Sequence, residues 1–250
     1  MISKAQIKLI KSLNYKKYRK KNNLFIAEGV KIINELILSE YKICTIYATI
    51  EWIEENITYI KETEKEKIQE VSNSELKSIS SLTTPNNVIA LVYIPGHHEG
   101  KIGQNVLITI ALDGIRDPGN LGTIIRIADW YKIDNIICSP DCADIYNPKV
   151  VQASMGSIFH TKIIYRDLKD YLTNTNTEIY GGYVDGKNIH QLKFKEPLIL
   201  VIGNEATGIS DNLAEIIGNK ICIPGYGKAE SLNAAVATGI ILDKIRKDIS

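Results

Sequence analysis

Three polar segments, each directly behind an apolar run, hold the residue types best suited to chemistry. The first is Leu112-Asp113-Gly114-Ile115-Arg116-Asp117-Pro118-Gly119-Asn120-Leu121-Gly122-Thr123-Ile124-Ile125-Arg126. Asp117-Pro118-Gly119-Asn120 is turn chemistry. Leu121, Ile124, Ile125 and Ala128 then recur on one side of a helix, and Arg126 points away from that side. The second, Gly203-Asn204-Glu205-Ala206-Thr207-Gly208-Ile209-Ser210, sets a carboxylate between glycines that allow tight backbone or close approach of a ligand. The third, Ile223-Pro224-Gly225-Tyr226-Gly227-Lys228-Ala229-Glu230-Ser231-Leu232-Asn233, is a Gly-rich loop before a final helix carrying Leu232, Val236 and Ile240 at i, i+4 spacing. An arginine, a carboxylate and several amides can orient a substrate, hold a phosphate and stabilise charge that develops during reaction. Each also has a purely structural reading: Asn120 as a helix cap, Arg126 as a solvated charge, Glu205 as an exposed acid, Ser231 as the N-cap of the last helix. That reading explains Ser231 well and leaves the long Gly-rich loop before it unexplained.

The elements that must position these loops are α/β in kind. Residues 106–112 form a continuous apolar run, which suits a strand buried on both faces of a parallel sheet. Further strands are expected at 135–138, 161–165, 178–184, 198–202 and 220–223, with helical stretches between most of them. In an open parallel sheet ligands bind beyond the carboxyl ends of the strands, where all three loops would lie. The chain up to about Ile94 reads as a separate small α/β domain. Leu24-Phe25-Ile26-Ala27 is a strand and Glu28-Gly29 a turn. A helix then carries Val30, Ile33, Ile37 and Leu38, and Ile43–Tyr47 is the next strand. Lys61–Lys67 reads as a solvated connection, and Pro95-Gly96-His97-His98-Glu99-Gly100 as a linker. The expected domains are 1–96 and 104–250.

The usual nucleotide fingerprints fail. Around Gly225-Tyr226-Gly227-Lys228, Cys222 and Ala229 occupy positions where a P-loop needs Gly and Ser/Thr. Glu230 stands where a dinucleotide-binding motif needs its third glycine. There is no G-x-S-x-G elbow and no H-E-x-x-H helix. The four histidines and four cysteines form no metal set, and the cysteines read as reduced, buried thiols. Net charge is only +1, but residues 1–31 carry nine basic residues against one acid, Glu28, with Tyr15 and Tyr18 among them. This is the composition of a nucleic-acid-binding edge, and equally of a solvated helix face or frayed basic tail. No apolar run reaches the ~20 residues needed to span a bilayer, and the start lacks a signal-like apolar core. A cytoplasmic protein without membrane contact is expected.

Taken in order, Asp117-Pro118-x-Asn120-x-Gly122-x-x-x-Arg126, Gly203-Asn204-Glu205-x-x-Gly208, and Ile223-Pro224 leading to Ser231-Leu232-Asn233 resemble the three motifs of the SpoU (TrmH-like) methyltransferases of the SPOUT superfamily. The resemblance covers residues 106–246 or so. Phe25-Ile26-Ala27-Glu28-Gly29 is similar to the small RNA-binding domain, related in fold to a ribosomal protein, that often precedes these enzymes. The resemblance implies a parallel-sheet domain with a deep trefoil knot near the C-terminus, an exception to the rule of unknotted chains. It further implies a homodimer, S-adenosylmethionine as methyl donor, no metal, and methylation of a ribose 2′-hydroxyl of RNA, with ribosomal RNA favoured over tRNA. Alternatives are an inactive knotted RNA-binding module and an RNA base methyltransferase. By position, Val184, Gly203, Asn204, Ile223 and Leu232 would contact the cofactor. Asn120, Arg126, Glu205, Ser231 and Asn233 match the family's functional polar positions. Arg126 matches the proposed proton acceptor, yet free arginine keeps its proton to a pKa of roughly 12.5–13.8. Polarising the hydroxyl or holding a neighbouring phosphate suits it better. Ala234-Ala235 depart from the valine and serine common after Asn233, and their small size preserves close packing. In the first domain Lys16, Lys17, Arg19 and Lys20 are the expected RNA contacts.

Overall fold

The computed structural model describes residues 1–58, 60, 62–96 and 106–249, so His97-His98 and Lys61 lie outside the described residues. The chain divides into two compact units, Met1–His97 with Asp144–His160, and His98–Ala143 with Thr161–Ser250.

The basic N-terminus is helical. α1 (Lys4–Ser12) opens with a capping box between Ser3 and Gln6, and α2 (Lys16–Asn22) ends at Asn23 in the left-handed region. Then follow β1 (Leu24–Glu28), α3 (Val30–Leu38), β2 (Ile43–Ala48), α4 (Ile50–Asn56), α5 (Glu62–Lys65), β3 (Ile68–Glu70), α6 (Asn73–Ile79) and β4 (Val88–Tyr93). The expected connection at 61–67 thus contains a short helix, and β3 is a strand that the apolar pattern does not announce. The sheet order is β1-β4-β2-β3, with β4 antiparallel to both β1 and β2. In α3 the buried row is Ile32, Ile33, Leu36 and Ile37, whereas Val30 and Leu38 of the expected row are exposed. Residues 144–160 complete this unit. The ring of Tyr146 lies 4.7 Å from Phe25, and that of Phe159 lies 5.1 Å from Tyr41.

The second unit is a six-stranded, wholly parallel sheet. Its elements are β5 (Ile108–Asp113), α7 (Pro118–Trp130) and β6 (Asn135–Cys138). After α8 (Pro148–Ser154), which belongs to the first unit, come β7 (Ile163–Tyr165), α9 (Leu168–Thr173), β8 (Glu178–Asn188), β9 (Leu198–Gly203), α10 (Asp211–Ala214), β10 (Asn219–Cys222) and α11 (Ala234–Ile249). The strand order is β10-β8-β9-β5-β6-β7. Alternate residues Ile179, Ile199, Val201, Ala111 and Ile137 face Leu168 and Leu172 of α9 and Leu213 of α10. α7 and α11 pack on each other, with Ile127 close to Gly239. The expected α7 face is the buried one: Leu121, Ile124, Ile125 and Ala128. The expected α11 row is not. Leu232, Val236 and Ile240 remain 46%, 50% and 36% exposed, while Ala234, Ala235, Thr238, Ile241, Leu242 and Ile245 are buried. No described helix is long and apolar enough to cross a membrane.

Candidate functional site

Strand order reverses direction at β5. The chain runs outward from β5 to β6 and β7 on one side, and β9 then lies against β5 on the other, with Asp113 opposite Gly203. Side chains beyond these carboxyl ends line a topological switch point. The loop after β9 folds back on itself. Asn204 N–H donates to Gly208 O at 3.0 Å, and Gly208 N–H to Asn204 O at 2.8 Å. Gly203 approaches that return so closely that a Cβ would sit 2.3 Å from Gly208 C and Ile209 N, which is why glycine is needed there. Asn204 locks both loops. Its Nδ2 donates to Gly114 O at 2.7 Å, and its Oδ1 accepts from the N–H groups of Ala206 at 2.9 Å and Thr207 at 3.3 Å. Asp113 fastens the far end by accepting from Ser210 N–H at 2.7 Å.

Glu205 stands at the exposed tip of this loop and accepts a short hydrogen bond from Asn120 Nδ2. Asn120 Oδ1 in turn accepts from Asn233 Nδ2 at 2.8 Å. Asn233 Oδ1 takes the N–H groups of Ala235 and Val236 at 3.0 and 3.2 Å. One residue from each of the three loops is therefore joined in a single chain. Its polarity is set at one end. The first turn of α11 offers only donors, so Asn233 must turn its oxygen to them and its amide to Asn120, which then presents its own amide to Glu205. The capping roles differ from the expected ones. Asp117, accepting from Asn120 N–H at 2.8 Å, caps α7, and Asn233 rather than Ser231 caps α11. Ser231 is exposed in the loop two residues earlier.

Arg126 is exposed on α7 and makes no hydrogen bond or ion pair among the described residues. Six residues beyond Asn120 on the same helix, it lies about 120° around the axis from it, toward the side of Thr123 and Trp130. The residues expected to meet the cofactor lie on one edge of the sheet. β8 and β10 pair as far as Gly181 and Lys220, then resume at Lys187 and Ile221, so residues 182–186 form an excursion. Val184 is 75% exposed in that excursion. Gly186 at its end meets the Ile221 backbone, where a Cβ would lie 2.5 Å away. Gly203 ends β9, half-buried Ile223 follows β10, and exposed Leu232 precedes α11. Exposed Val184 and Leu232 beside turning backbone give apolar faces and amide edges, a donor set that fits an adenine ring.

Several residues of the site carry no obvious sequence signal. Asp113 and Gly114 form the turn after β5, with Gly114 at φ +66°. Beneath them Ser139 Oγ accepts from Gly114 N–H at 2.9 Å and donates to Asp141 at 2.6 Å, and Asp141 pairs with Arg116 at 2.9 Å. Hydrogen bonds from Ser139 and Arg116 hold the Asp141 carboxyl below its usual range. The Cys142 thiol accepts from Ile115 N–H at 3.2 Å. A hydrogen bond from Cys138, with those from Ser139 and Ile115, lowers it to about 7 against the opposing effect of burial. All four cysteines are free thiols, Cys138 and Cys142 buried, Cys44 and Cys222 partly so. Among the described residues no group of three or more His, Cys, Asp or Glu could hold a metal.

In the first unit Lys16, Lys17 and Lys20 are exposed, and Arg19 is not. Arg19 is 2% exposed, with Nη1 donating to Leu13 O and Asn14 O and Nη2 to Asp144 Oδ2 at 2.6 Å. Its guanidinium is held inside the fold and offers nothing to a phosphate, which corrects the sequence expectation.

Residues 107–243 match the SpoU rRNA Methylase family, and residues 4–90 match the MRM3-like substrate binding domain. The chain is 30% identical over 247 residues to the 23S rRNA (guanosine(2553)-2'-O)-methyltransferase RlmP of Bacillus subtilis, covering 96% of each. Its fold matches a TrmH-family structure from Porphyromonas gingivalis with a TM-score of 0.86, at 34% identity over 99% of both chains. An AdoMet-bound rRNA methyltransferase from Sinorhizobium meliloti superimposes with a TM-score of 0.85 at 29% identity, over 99% of this chain and 97% of that one. With the matched region spanning more than half its length and all three motif loops meeting at one sheet edge, the chain belongs to the SpoU rRNA methylase family.

Proposed function

We propose that the protein transfers a methyl group from S-adenosylmethionine to a ribose 2′-hydroxyl of ribosomal RNA. The observation that carries this reading is the Glu205–Asn120–Asn233 chain, which gathers the three motif loops beyond the carboxyl ends of β5 and β9. The relative's name as a 23S rRNA 2'-O-methyltransferase, and the AdoMet bound in the Sinorhizobium structure, support substrate and cofactor. The donor, when bound, would supply a methyl group on a sulfonium whose neutral thioether is a good leaving group, and the hydroxyl's proton passes to solvent. Val184, Gly203, Asn204, Ile223 and Leu232 would hold it, largely through backbone groups.

The chain's own residues have three tasks. Asn120, fixed by Asn233, aims Glu205 so that one carboxylate oxygen is engaged and the other, free of hydrogen bonds among the described residues, can accept from the ribose. Arg126 polarises the attacking hydroxyl and stabilises the charge on its oxygen, or holds the adjoining phosphate in a bidentate grip. Ser231, at the start of the last loop segment, contacts the acceptor nucleotide. Residues 104–250, less the segment 144–160, would form the transferase domain. Residues 1–96 completed by 144–160 would form the RNA-binding domain, with Lys16, Lys17 and Lys20 on phosphates. A deep trefoil knot belongs to the same reading and is supported by the interleaved order β10-β8-β9-β5. So does a homodimer, supported by the apolar side chains that α7 and α11 leave uncovered. Acting on ribosomal RNA, the protein would work in the cytoplasm.

The test is transfer of labelled methyl from S-adenosylmethionine to separated ribosomal and transfer RNA from cells lacking the protein. Label in ribosomal RNA that resists alkali at one site is the expected result. Alkali-sensitive label would make it a base methyltransferase. No label, with cofactor bound, would make it an RNA-binding module. Arg126→Ala should abolish transfer and leave cofactor affinity nearly intact; wild-type turnover would remove Arg126 from the mechanism.

A further inference from the structure

We propose that the elbow between α1 and α2 is a stacking platform for an unpaired nucleotide of the RNA, with Tyr15 receiving the base and buried Arg19 pinning the elbow. The inference rests on RNA being the substrate.

The local sequence is poor for folding at this point. Tyr15 occupies the N-cap of α2 and makes no side-chain cap bond, where Ser, Thr, Asp or Asn would stabilise the helix. Lys16 and Lys17 follow in the first turn, where the helix dipole disfavours cations, and that turn holds no acid. Such breaches of local preference mark functional positions. Tyr15 serves the fold through its backbone: its carbonyl accepts from Tyr18 and Arg19, and its N–H donates to Ser12 O. Its ring is 68% exposed, and Tyr18, edge-on to it at 6.5 Å, is 40% exposed. Lys11, Lys16, Lys17, Lys20 and Lys21 flank the pair in the sequence, all exposed, and no acidic residue precedes Glu28.

Arg19 explains why the platform holds its shape. Its Nη1 ties together the carbonyls of Leu13 and Asn14 at the end of α1, at 2.8 and 2.9 Å. Its Nε and Nη2 reach Asp144 Oδ2 at 3.2 and 2.6 Å. The bend is thus clamped from inside while the rings and ammonium groups face outward. A base-paired A-form helix shows a protein its phosphates, its 2′-hydroxyls and the edges of its bases, so an open ring face finds no partner there. An unpaired nucleotide offers a flat base to the ring and flanking phosphates to the lysines.

The test measures affinity of the full-length protein, without methyl donor, for an RNA strand and for its duplex. Tyr15→Ala should weaken the unpaired strand about 5- to 100-fold and leave the duplex unchanged, and Tyr15→Trp should restore binding. Lys16→Ala should weaken both RNAs alike and flatten the salt dependence by roughly one phosphate contact. Equal loss on both RNAs with Tyr15→Ala, or none on either, overturns the platform. In the Tyr15→Ala background Arg19→Lys should cost the unpaired strand nothing more. A further loss would make Arg19 a direct contact and overturn its role as a pin. Should Arg19→Lys fail to fold, Asp144→Asn serves the same comparison. Because no methyl transfer is read, failure of the platform and failure of the proposed reaction are separate results.

Discussion

Asn233 both starts α11 and steers Asn120, and substitution separates the two. Asn233→Asp keeps the acceptor for Ala235 and Val236 but has no N–H for Asn120 Oδ1. Its melting temperature should stay close to wild type while methyl transfer falls about 5- to 100-fold, the loss expected for an orienting hydrogen bond of about 1–3 kcal/mol. Asn233→Ala removes the cap as well and should cost about 0.5–2 kcal/mol of stability. Equal activity in Asn233→Asp and wild type would show that the link to Asn120 is idle. Asn120, Glu205 and Asn233 could be picked out because their three loops, taken in order, resemble the family's motifs; taken singly, Asn120 reads equally as a cap and Glu205 as an exposed acid. Arg19 could not be judged there. Its partner Asp144 is 125 residues away, and a basic run does not reveal which of its members turns inward.

For whole elements, the strands were legible because a parallel sheet buries both faces and writes them as apolar runs, unbroken in Leu198–Gly203 and interrupted only by Asn135 in Asn135–Cys138. Helix faces were less so. An apolar row predicts that a helix has a face to cover, not what covers it, and Leu232, Val236 and Ile240 are such a row left open within this chain. β3, three residues and only half-buried, leaves too short a pattern to read. The loop after β9 depends on backbone closeness, which glycine permits but does not announce. Gly203→Ala would press a Cβ to 2.3 Å from the returning backbone. The expected cost is about 1–3 kcal/mol, seen as a lower melting temperature, together with weaker cofactor binding by calorimetry. An unshifted melt with full binding would mean the loop can retreat.

At the level of the molecule, the uncovered row on α11 continues to Asp243, which accepts from the Tyr131 hydroxyl at 3.3 Å beside Trp130, itself 84% exposed. Trp130→Glu should convert the expected dimer to a monomer by sedimentation, since a buried charge without a partner opposes association. A wild-type mass in that variant would place any dimer contact elsewhere. A second prediction concerns the first unit, whose fold needs 144–160. A chain ending at residue 96 lacks Asp144, Tyr146 and Phe159, leaving Arg19, Phe25 and Tyr41 without their partners. Losing a buried charge's partner alone costs about 3–5 kcal/mol, so this fragment should show no cooperative melt. A sharp transition would show that the unit closes without the returning segment.

That returning segment also bears on how the protein can change over generations. One compact body is encoded in two stretches separated by the whole parallel β5-α7-β6 crossover. Recombination that trades the N-terminal stretch with a distant relative would part Arg19 from Asp144 and Phe25 from Tyr146, so these pairs should be inherited together, and the first unit is not a detachable cassette.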